Sequence, residues 1–152
     1  MSRAVLHTDG GARGNPGPAG AGFVIEADGE IVCRGGRYLG STTNNVAEYE
    51  ALIWGLENVR ELGFTAVAVN ADSELVVKQL QGAYRVKNAG LKPLFLSAMA
   101  LLRGFDEYTV THVRRENNAD ADAMANAAMD EQATVGNPSF MPAEPSERGS
   151  LF

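Results

Sequence analysis

The chain of 152 residues is long enough for one domain with a full core, and a hydrophobic content of 45% is ordinary for a globular protein. Its net charge of −6 excludes nucleic-acid binding by bulk attraction, so any such binding requires local basic patches. No apolar run approaches the roughly 20 residues that cross a bilayer, and the start of the chain lacks a signal-peptide core. These features predict a cytoplasmic protein without a membrane-spanning segment.

The first third of the chain is predicted to form three antiparallel strands. The first ends at Asp9, where the glycines that follow are expected to stop it. The second and third are joined by Asp28-Gly29, a dipeptide typical of a two-residue hairpin turn. Cys33, the only cysteine, lies in an apolar run and is expected to pack in the core. The predicted strands cover residues 3–9, 21–28 and 30–39.

Helices and strands alternate in the remainder of the domain. Apolar residues recur at helical spacing up to Gly63, and Thr43 or Asn44 is available as the N-cap. The strand predicted at 65–71 should run parallel to the first strand, because a helical crossover returns the chain in the same direction. Further helices are predicted at about 72–80, 93–103 and 119–133, and a last strand at 108–113.

The composition changes after Ala133. The remaining segment is rich in Pro, Ser, Gly and Glu and has no periodicity. Such a segment is predicted to be a disordered tail or a linker. The predicted organisation is therefore one domain over 1–133 followed by a tail over 134–152.

Acidic residues stand out where the predicted strands end. Asp9 ends the first strand and Asp72 follows the strand at 65–71. These two strands should be parallel, so both carboxylates are expected at the same edge of the sheet. Two carboxylates about 4 Å apart repel by roughly 4 kcal/mol at an effective dielectric of 20, so a cluster needs a compensating cation. Oxygen ligands favour Mg²⁺ or Mn²⁺, and a pair of such ions commonly directs water onto a phosphodiester. The candidate ligands are Asp9, Glu48, Asp72 and Asp122.

Five segments together resemble ribonuclease H type 1, most closely its short archaeal and actinobacterial branch. They are TDGGARGNPGPAGAGFVI, TTNNVAEYEAL, ADSELVVKQL, YRVKNAGLKPL and RENNADADAMAN, in the family's order between about residues 3 and 132. The resemblance implies an α/β ribonuclease H-like fold with a mixed five-stranded sheet flanked by helices. It also implies an endonuclease that hydrolyses the RNA strand of an RNA/DNA hybrid with two metal ions, leaving 3′-hydroxyl and 5′-phosphate ends.

The same resemblance assigns roles to individual residues. The four candidate carboxylates become the metal ligands for Mg²⁺, with Mn²⁺ also expected to support activity. Asp120 is the alternative for the fourth position, and Asp122 is preferred because the residues after it, up to Asn126, are similar to the family pattern. Contacts with the hybrid are implied or expected for Gly10, Gly11, Asn15, Asn44, Asn45, Glu74, Arg85 and Lys87.

Two departures from the family pattern affect these expectations. A long basic insertion of many bacterial relatives is replaced by a short loop with Arg85, Lys87 and Lys92, which predicts weaker substrate affinity. The loop before Asp122 also lacks the histidine of those relatives. Arg115 is the predicted substitute, with Arg114 as the alternative, and His7 and His112 are expected to be packed strand residues.

Other functions remain open at the level of sequence. One alternative is a module that binds hybrids without cleaving them, although all four carboxylates are present. Another is a nuclease of the same fold that acts on double-stranded RNA or DNA junctions. No obligate protein partner is evident from the sequence.

Overall fold

The computed structural model describes residues 3–142, which form a mixed sheet with helices packed on both faces. The strands are β1 (Arg3–Ala12), β2 (Gly17–Ala27), β3 (Glu30–Thr42), β4 (Ala66–Ala71), β5 (Glu107–His112) and β6 (Val135–Gly136). The helices are α1 (Asn44–Glu61), α2 (Glu74–Leu80), α3 (Lys92–Arg103) and α4 (Ala119–Glu131), the last preceded by a 3₁₀ turn at Arg115–Asn117. Within this range the strand order is β5-β4-β1-β2-β3-β6, so the predicted mixed sheet is confirmed with one short additional strand.

The predicted parallel pairing of β1 and β4 is present. Their ladder begins at Arg3 and Ala66 and ends at Thr8 and Ala71. The next residues along the two strands are Asp9 and Asp72. Both carboxylates therefore lie at the same edge of the sheet, immediately beyond the last paired residues of β1 and β4.

The first hairpin differs from the prediction. Strand β1 does not stop at Asp9, because Gly10 and Gly11 continue the antiparallel ladder opposite Ala21 and Gly20. The connection to β2 is consequently shortened to residues 13–16. Glycine weakens a strand but does not end it when a partner strand supplies the hydrogen bonds. The next turn follows the prediction: Asp28 and Gly29 both have positive φ, as a two-residue hairpin requires.

Two glycines allow the helices to approach the sheet closely. A Cβ on Gly10 would collide with the Ala47 carbonyl in α1, and a Cβ on Gly22 would collide with the Ala121 carbonyl in α4. Gly22 is paired with Asp9 across β1 and β2 and therefore lies on the same face of the sheet. Close approach of α4 over Gly22 thus brings the first turn of this helix next to Asp9.

The predicted domain boundary at 133 is wrong for residues 134–142. Strand β6 pairs with β3, and Phe140 packs against the hydrophobic core. The Trp54 indole N–H donates to the Phe140 carbonyl at 2.8 Å, and the buried Asn58 side chain binds the backbone of Ser139 and Phe140. This segment is part of the folded domain, and residues 143–152 lie outside the described range.

Other expectations concern Cys33 and the membrane. Cys33 is buried as predicted, and its Sγ lies 3.5 Å from the Asn137 carbonyl oxygen of the C-terminal segment. In the part of the chain that the structure describes, no helix combines the length and the apolar character that crossing a bilayer requires.

Candidate active site

Three of the predicted metal ligands converge at the end of the β1/β4 ladder. One carboxylate oxygen from each of Asp9, Glu48 and Asp72 lies within 4.8 Å of the other two. Asp9 and Asp72 come from adjacent parallel strands, and Glu48 comes from the second turn of α1. The sequence placed these residues far apart, and the sheet together with α1 brings them into a single cluster.

Local contacts hold the cluster in place. The Gly10 N–H donates to the Glu48 carboxylate, so the close approach of α1 at Gly10 also orients this side chain. Helix α1 begins as predicted, with the Thr43 hydroxyl accepting from the Val46 N–H at 3.3 Å. The side chain of Asp72 is only 7% exposed, and its buried Oδ2 accepts no hydrogen bond from residues 3–142. A buried carboxylate oxygen without a hydrogen bond is costly unless a cation compensates it.

Asp122 lies next to this cluster, beside Asp9, whereas Asp120 lies in a different cavity. The Asp122 side chain lies beside that of Asp9 and contributes to raising the Asp9 pKa. Asp122 also lines the same open cavity as Asp9 and Glu48, here called the carboxylate cavity. Asp120 lies two residues earlier on α4 and lines a separate cavity beside His7.

The pKa values of two of these carboxyl groups are raised well above the ordinary range. For Asp9 the causes are burial, then the hydrogen bond with Asp122, then the charges of Glu48, Asp72 and Asp122. Burial and the charge of Asp72 raise the pKa of Glu48, opposed by the Gly10 N–H, Asp9 and the charge of Arg115. The metal-free site therefore retains protons that a divalent cation would displace.

Divalent cations are expected to stabilise the protein more at high pH than at low pH. A carboxyl group with a raised folded-state pKa stabilises the metal-free fold below its ordinary pKa of about 4, and this contribution is lost as the pH rises through the raised value. A bound cation compensates the resulting charges. The gain in Tm on adding saturating Mg²⁺ should therefore be larger at about pH 9 than at about pH 6. Thermal melts in four conditions measure it, and an equal gain at both pH values would contradict the cause given for the raised pKa values.

Arg115 is the cation nearest to the cluster among the described residues. Its Nε lies 4.0 Å from Asp72 Oδ2, and its side chain is 80% exposed and lines the carboxylate cavity. Arg114 instead lies 4.0 Å from Glu116 and does not line this cavity.

The two histidines were predicted to be packed strand residues. This prediction is wrong for His112, which is exposed at the end of β5. His7 is half-buried and lies 3.2 Å from Glu26.

Asparagines build one rim of the carboxylate cavity. The Asn44 N–H donates to Asn15 Oδ1 at 3.0 Å, and Asn44 Oδ1 accepts from the Ala12 N–H at 2.7 Å. These bonds connect the loop after β1 to the start of α1. Gly11 also lines the cavity, and a Cβ there would meet only Asn44 Oδ1, at 3.9 Å. The space over Gly11 is open, so a ligand could approach this backbone closely.

Several predicted contact residues lie outside the carboxylate cavity. Asn45 and Glu74 occupy the first turns of α1 and α2, and neither lines it. Arg85 and Lys87 lie on the exposed loop between α2 and α3, where Arg85 and Lys92 border a groove with Tyr84.

Sequence reasoning missed two other residues near the site, Arg13 and Asn118. Arg13 lines the carboxylate cavity and reaches Asp130 at 2.8 Å and Asn126 at 3.3 Å. Asn118 is buried beside β1, where its side chain binds the Thr8 carbonyl. The only sequence signal for Asn118 was its position four residues before Asp122, at the start of a predicted helix.

The fold and the cluster define a class of protein. An α/β sheet that gathers buried carboxylates beside an open cavity is suited to holding hard divalent cations. Such cations promote hydrolysis of phosphate esters by activating water and offsetting negative charge.

Comparisons with known proteins identify the family. A family model described as reverse transcriptase-like matches residues 7–128. Ribonuclease HI of Halobacterium salinarum is 46% identical over 130 residues, which is 85% of this chain. Ribonuclease H of Chromohalobacter salexigens is 34% identical over 146 residues, covering 86% of this chain and 87% of that protein. The chain belongs to the ribonuclease H family.

Solved structures agree with this assignment. The crystal structure of RNase H1 from Halobacterium salinarum has a TM-score of 0.83 and covers 86% of this chain and 99% of that one. LC11-RNase H1 in complex with an RNA/DNA hybrid is 44% identical, with a TM-score of 0.81, and covers 85% of this chain and 98% of that one. The chain spans 65% of the length of the Halobacterium relative and 36% of a bifunctional protein of Mycobacterium tuberculosis that is 44% identical.

Proposed function

We propose that the protein is an endonuclease that hydrolyses the RNA strand of RNA/DNA hybrids by two-metal-ion catalysis, leaving 3′-hydroxyl and 5′-phosphate ends. The observation that carries this proposal is the convergence of Asp9, Glu48 and Asp72 within 4.8 Å on a ribonuclease H scaffold. A relative of 44% identity is described in complex with such a hybrid.

The carboxylates fit a divalent cation. Asp72 Oδ2 is buried and accepts no hydrogen bond within the described chain, and Asp9 and Glu48 have raised pKa values. We assign Asp9, Glu48, Asp72 and Asp122 as the residues that would hold the metal. The proposed ion is Mg²⁺, and Mn²⁺ is expected to support activity in its place. Bound ions of this kind activate water and neutralise charge on the phosphate.

The residues of the chain supply position and charge. Asp9 and Asp72 are held by the ends of two paired strands, so their separation does not depend on a mobile loop. Arg115 places a permanent cation beside the cluster, where it can stabilise negative charge that develops on the phosphate. Arginine stays protonated at working pH and cannot transfer a proton as histidine does.

Replacing Arg115 with alanine is expected to lower kcat by roughly 10- to 1,000-fold, the scale of losing one electrostatic stabiliser. Arg114→Ala is the matched control, because Arg114 neighbours it in sequence but does not line the carboxylate cavity. Steady-state kinetics on a hybrid substrate measure both variants together with His112→Ala. A loss confined to His112→Ala would transfer the role to that histidine.

The fourth metal ligand can be tested with two neighbouring aspartates. Asp122→Asn should lower kcat by roughly 100-fold or more, because it removes a charge beside Asp9. Asp120→Asn serves as the matched control on the same turn of α4 and should leave kcat nearly unchanged. Kinetics in Mg²⁺ distinguish them, and equal effects would reject the choice of Asp122.

Two surfaces are proposed to contact the hybrid. The first comprises the cavity rim at Gly10, Gly11, Asn15 and Asn44, together with Asn45 in the first turn of α1. Short polar groups and backbone there can reach the ribose 2′-OH that distinguishes RNA from DNA. The oxygens of Asn15 and Asn44 already accept hydrogen bonds within the described chain, so their amide N–H groups are the donors available to a substrate. The second comprises Glu74, Arg85 and Lys87, where the cations would contact phosphates outside the carboxylate cavity.

A single assay tests the proposed function. End-labelled RNA/DNA hybrid, double-stranded RNA and double-stranded DNA are incubated with the protein in Mg²⁺ and in Mn²⁺, and the products are compared. Cleavage of the RNA strand of the hybrid alone is expected. Binding without cleavage, or a preference for double-stranded RNA, would replace the proposal with one of the alternatives.

The cytoplasm stays the predicted location of the protein, on the basis of its sequence composition.

A further inference from the structure

Asn118 connects the two sides of the carboxylate cluster. Its side chain is almost completely buried, with 2% of the residue exposed, and its Nδ2 donates to the Thr8 carbonyl at 2.7 Å. Thr8 is the last β1 residue paired with β4, and the next residue in the chain is Asp9. The hydrogen bond therefore holds the peptide group from which Asp9 extends.

The backbone of Asn118 is bonded to the other side of the site. Its carbonyl accepts from the Asp122 N–H at 3.1 Å in the first turn of α4, and its N–H donates to the Arg115 carbonyl at 2.9 Å. The Asp122 side chain also lies beside Asp9, and both line the carboxylate cavity, so this series of contacts leads back to Asp9. The contacts run from Asp9 through Thr8 and Asn118 to Asp122, and the side-chain amide of Asn118 is their link between β1 and the start of α4.

The surface under α4 explains why such a link is needed. Glycines at 20, 22 and 36 let the helix backbone lie directly on the sheet, facing the carbonyls of Ala125, Ala121 and Met124. Helices are usually held in register by side-chain ridges that fit into grooves, and glycines provide no ridge. The position of α4 along the sheet, and with it the distance from Asp122 to Asp9, depends more heavily on polar contacts at its start.

We propose that Asn118 is a positioning residue for the metal site, in that its side-chain amide sets the placement of Asp122 relative to Asp9. Its contribution to catalysis rests on the proposed function, whereas its contribution to metal binding does not. Residues that orient metal ligands without touching the ion typically change metal affinity or activity by about 10- to 100-fold when they are replaced.

The test compares Asn118→Asp and Asn118→Ala with Asn58→Ala. Asn118→Asp keeps the shape but places an acceptor against the Thr8 carbonyl, and Asn118→Ala removes the link. Asn58 is a matched control, because it is also a completely buried asparagine but binds the C-terminal segment, away from the carboxylate cavity. For each variant, Mn²⁺ binding is measured by calorimetry without nucleic acid. The kinetic constants kcat and KM are measured on hybrid in Mg²⁺, and Tm is measured by thermal melting.

Both Asn118 variants are expected to bind Mn²⁺ about 10-fold or more weakly and to lose roughly 10- to 100-fold in kcat, with KM for the hybrid nearly unchanged. Asn58→Ala should lower Tm and leave Mn²⁺ affinity and kcat unaltered. If one Asn118 variant does not fold, the other is judged by the same criteria, and Asn118→Ser replaces both if neither folds. A lower Tm with unchanged Mn²⁺ affinity and kcat would overturn the proposal. Failure of the parent protein to cleave any hybrid would reject the proposed function, while the Mn²⁺ titrations would still decide the role of Asn118.

Discussion

Replacing Asp72 with asparagine is expected to lower kcat at least roughly 1,000-fold, which corresponds to about 4 kcal/mol of transition-state stabilisation. The amide keeps the size of the side chain but removes a charge from a buried position next to Asp9 and Glu48. Binding of the hybrid should be largely retained, because the proposed contacts with nucleic acid lie on the cavity rim and on the loop between α2 and α3 that carries Arg85 and Lys87. Single-turnover cleavage in Mg²⁺ and a separate binding assay measure the two effects.

Asp106→Asn is a suitable control for this variant. Asp106 is an exposed aspartate immediately before β5 and lines a different cavity, so its replacement should leave both quantities unchanged. Near-normal turnover by Asp72→Asn in Mg²⁺ would show that Asp72 does not hold the metal. Asp72→Asn should also gain less Tm than the parent on addition of Mg²⁺, which provides a readout independent of the substrate.

Shortening the chain to end at residue 133 is expected to destabilise the domain by about 2–4 kcal/mol and to lower Tm by roughly 5–15 °C. The deletion removes β6 and the packing of Phe140 on the core. It also removes the partners of the Trp54 indole N–H and most partners of the Asn58 amide, and buried polar groups are costly when they lose their hydrogen bonds.

A chain that ends at residue 142 is the control, because it retains every contact described for this segment. Its Tm should match that of the full chain. Asn58→Ala in the full chain should reproduce a large part of the loss, since Asn58 binds both Ser139 and Phe140. If the chain ending at 133 melted at the same temperature as the full chain, the segment would contribute no stability.

Local signals were sufficient to predict most of the elements. Helical spacing of apolar residues and the Thr43 cap identified α1, because an N-cap and an amphipathic face depend on residues a few positions apart. The connection rule for helical crossovers predicted that β1 and β4 are parallel, and this placed Asp9 and Asp72 side by side. The candidate metal ligands could also be named from local signals, since each lies in a recognisable short segment of the sequence.

Contacts between distant residues could not be read from such patterns. The segment after 133 looks like a tail because it is polar and aperiodic, yet Phe140 is bound by Asn58, 82 positions earlier in the chain. A short segment that follows no period is ordered by the partner it meets, and composition does not reveal the partner. The extension of β1 through Gly10 and Gly11 was missed for a similar reason, because β2 supplies the pairing that glycine itself does not favour.

The choice between Asp120 and Asp122 shows most clearly what local sequence signals cannot determine. Both lie in the first turn of α4, so local structure does not distinguish them. A helix directs residues two positions apart to different sides, so the orientation of α4 on the sheet selects the one that meets Asp9. That orientation depends on the glycines beneath the helix and on the Asn118 bond to Thr8, 110 positions away. Residue type and spacing identify which side chains can bind a cation, whereas packing of α4 against β1 and β2 determines which of them meet.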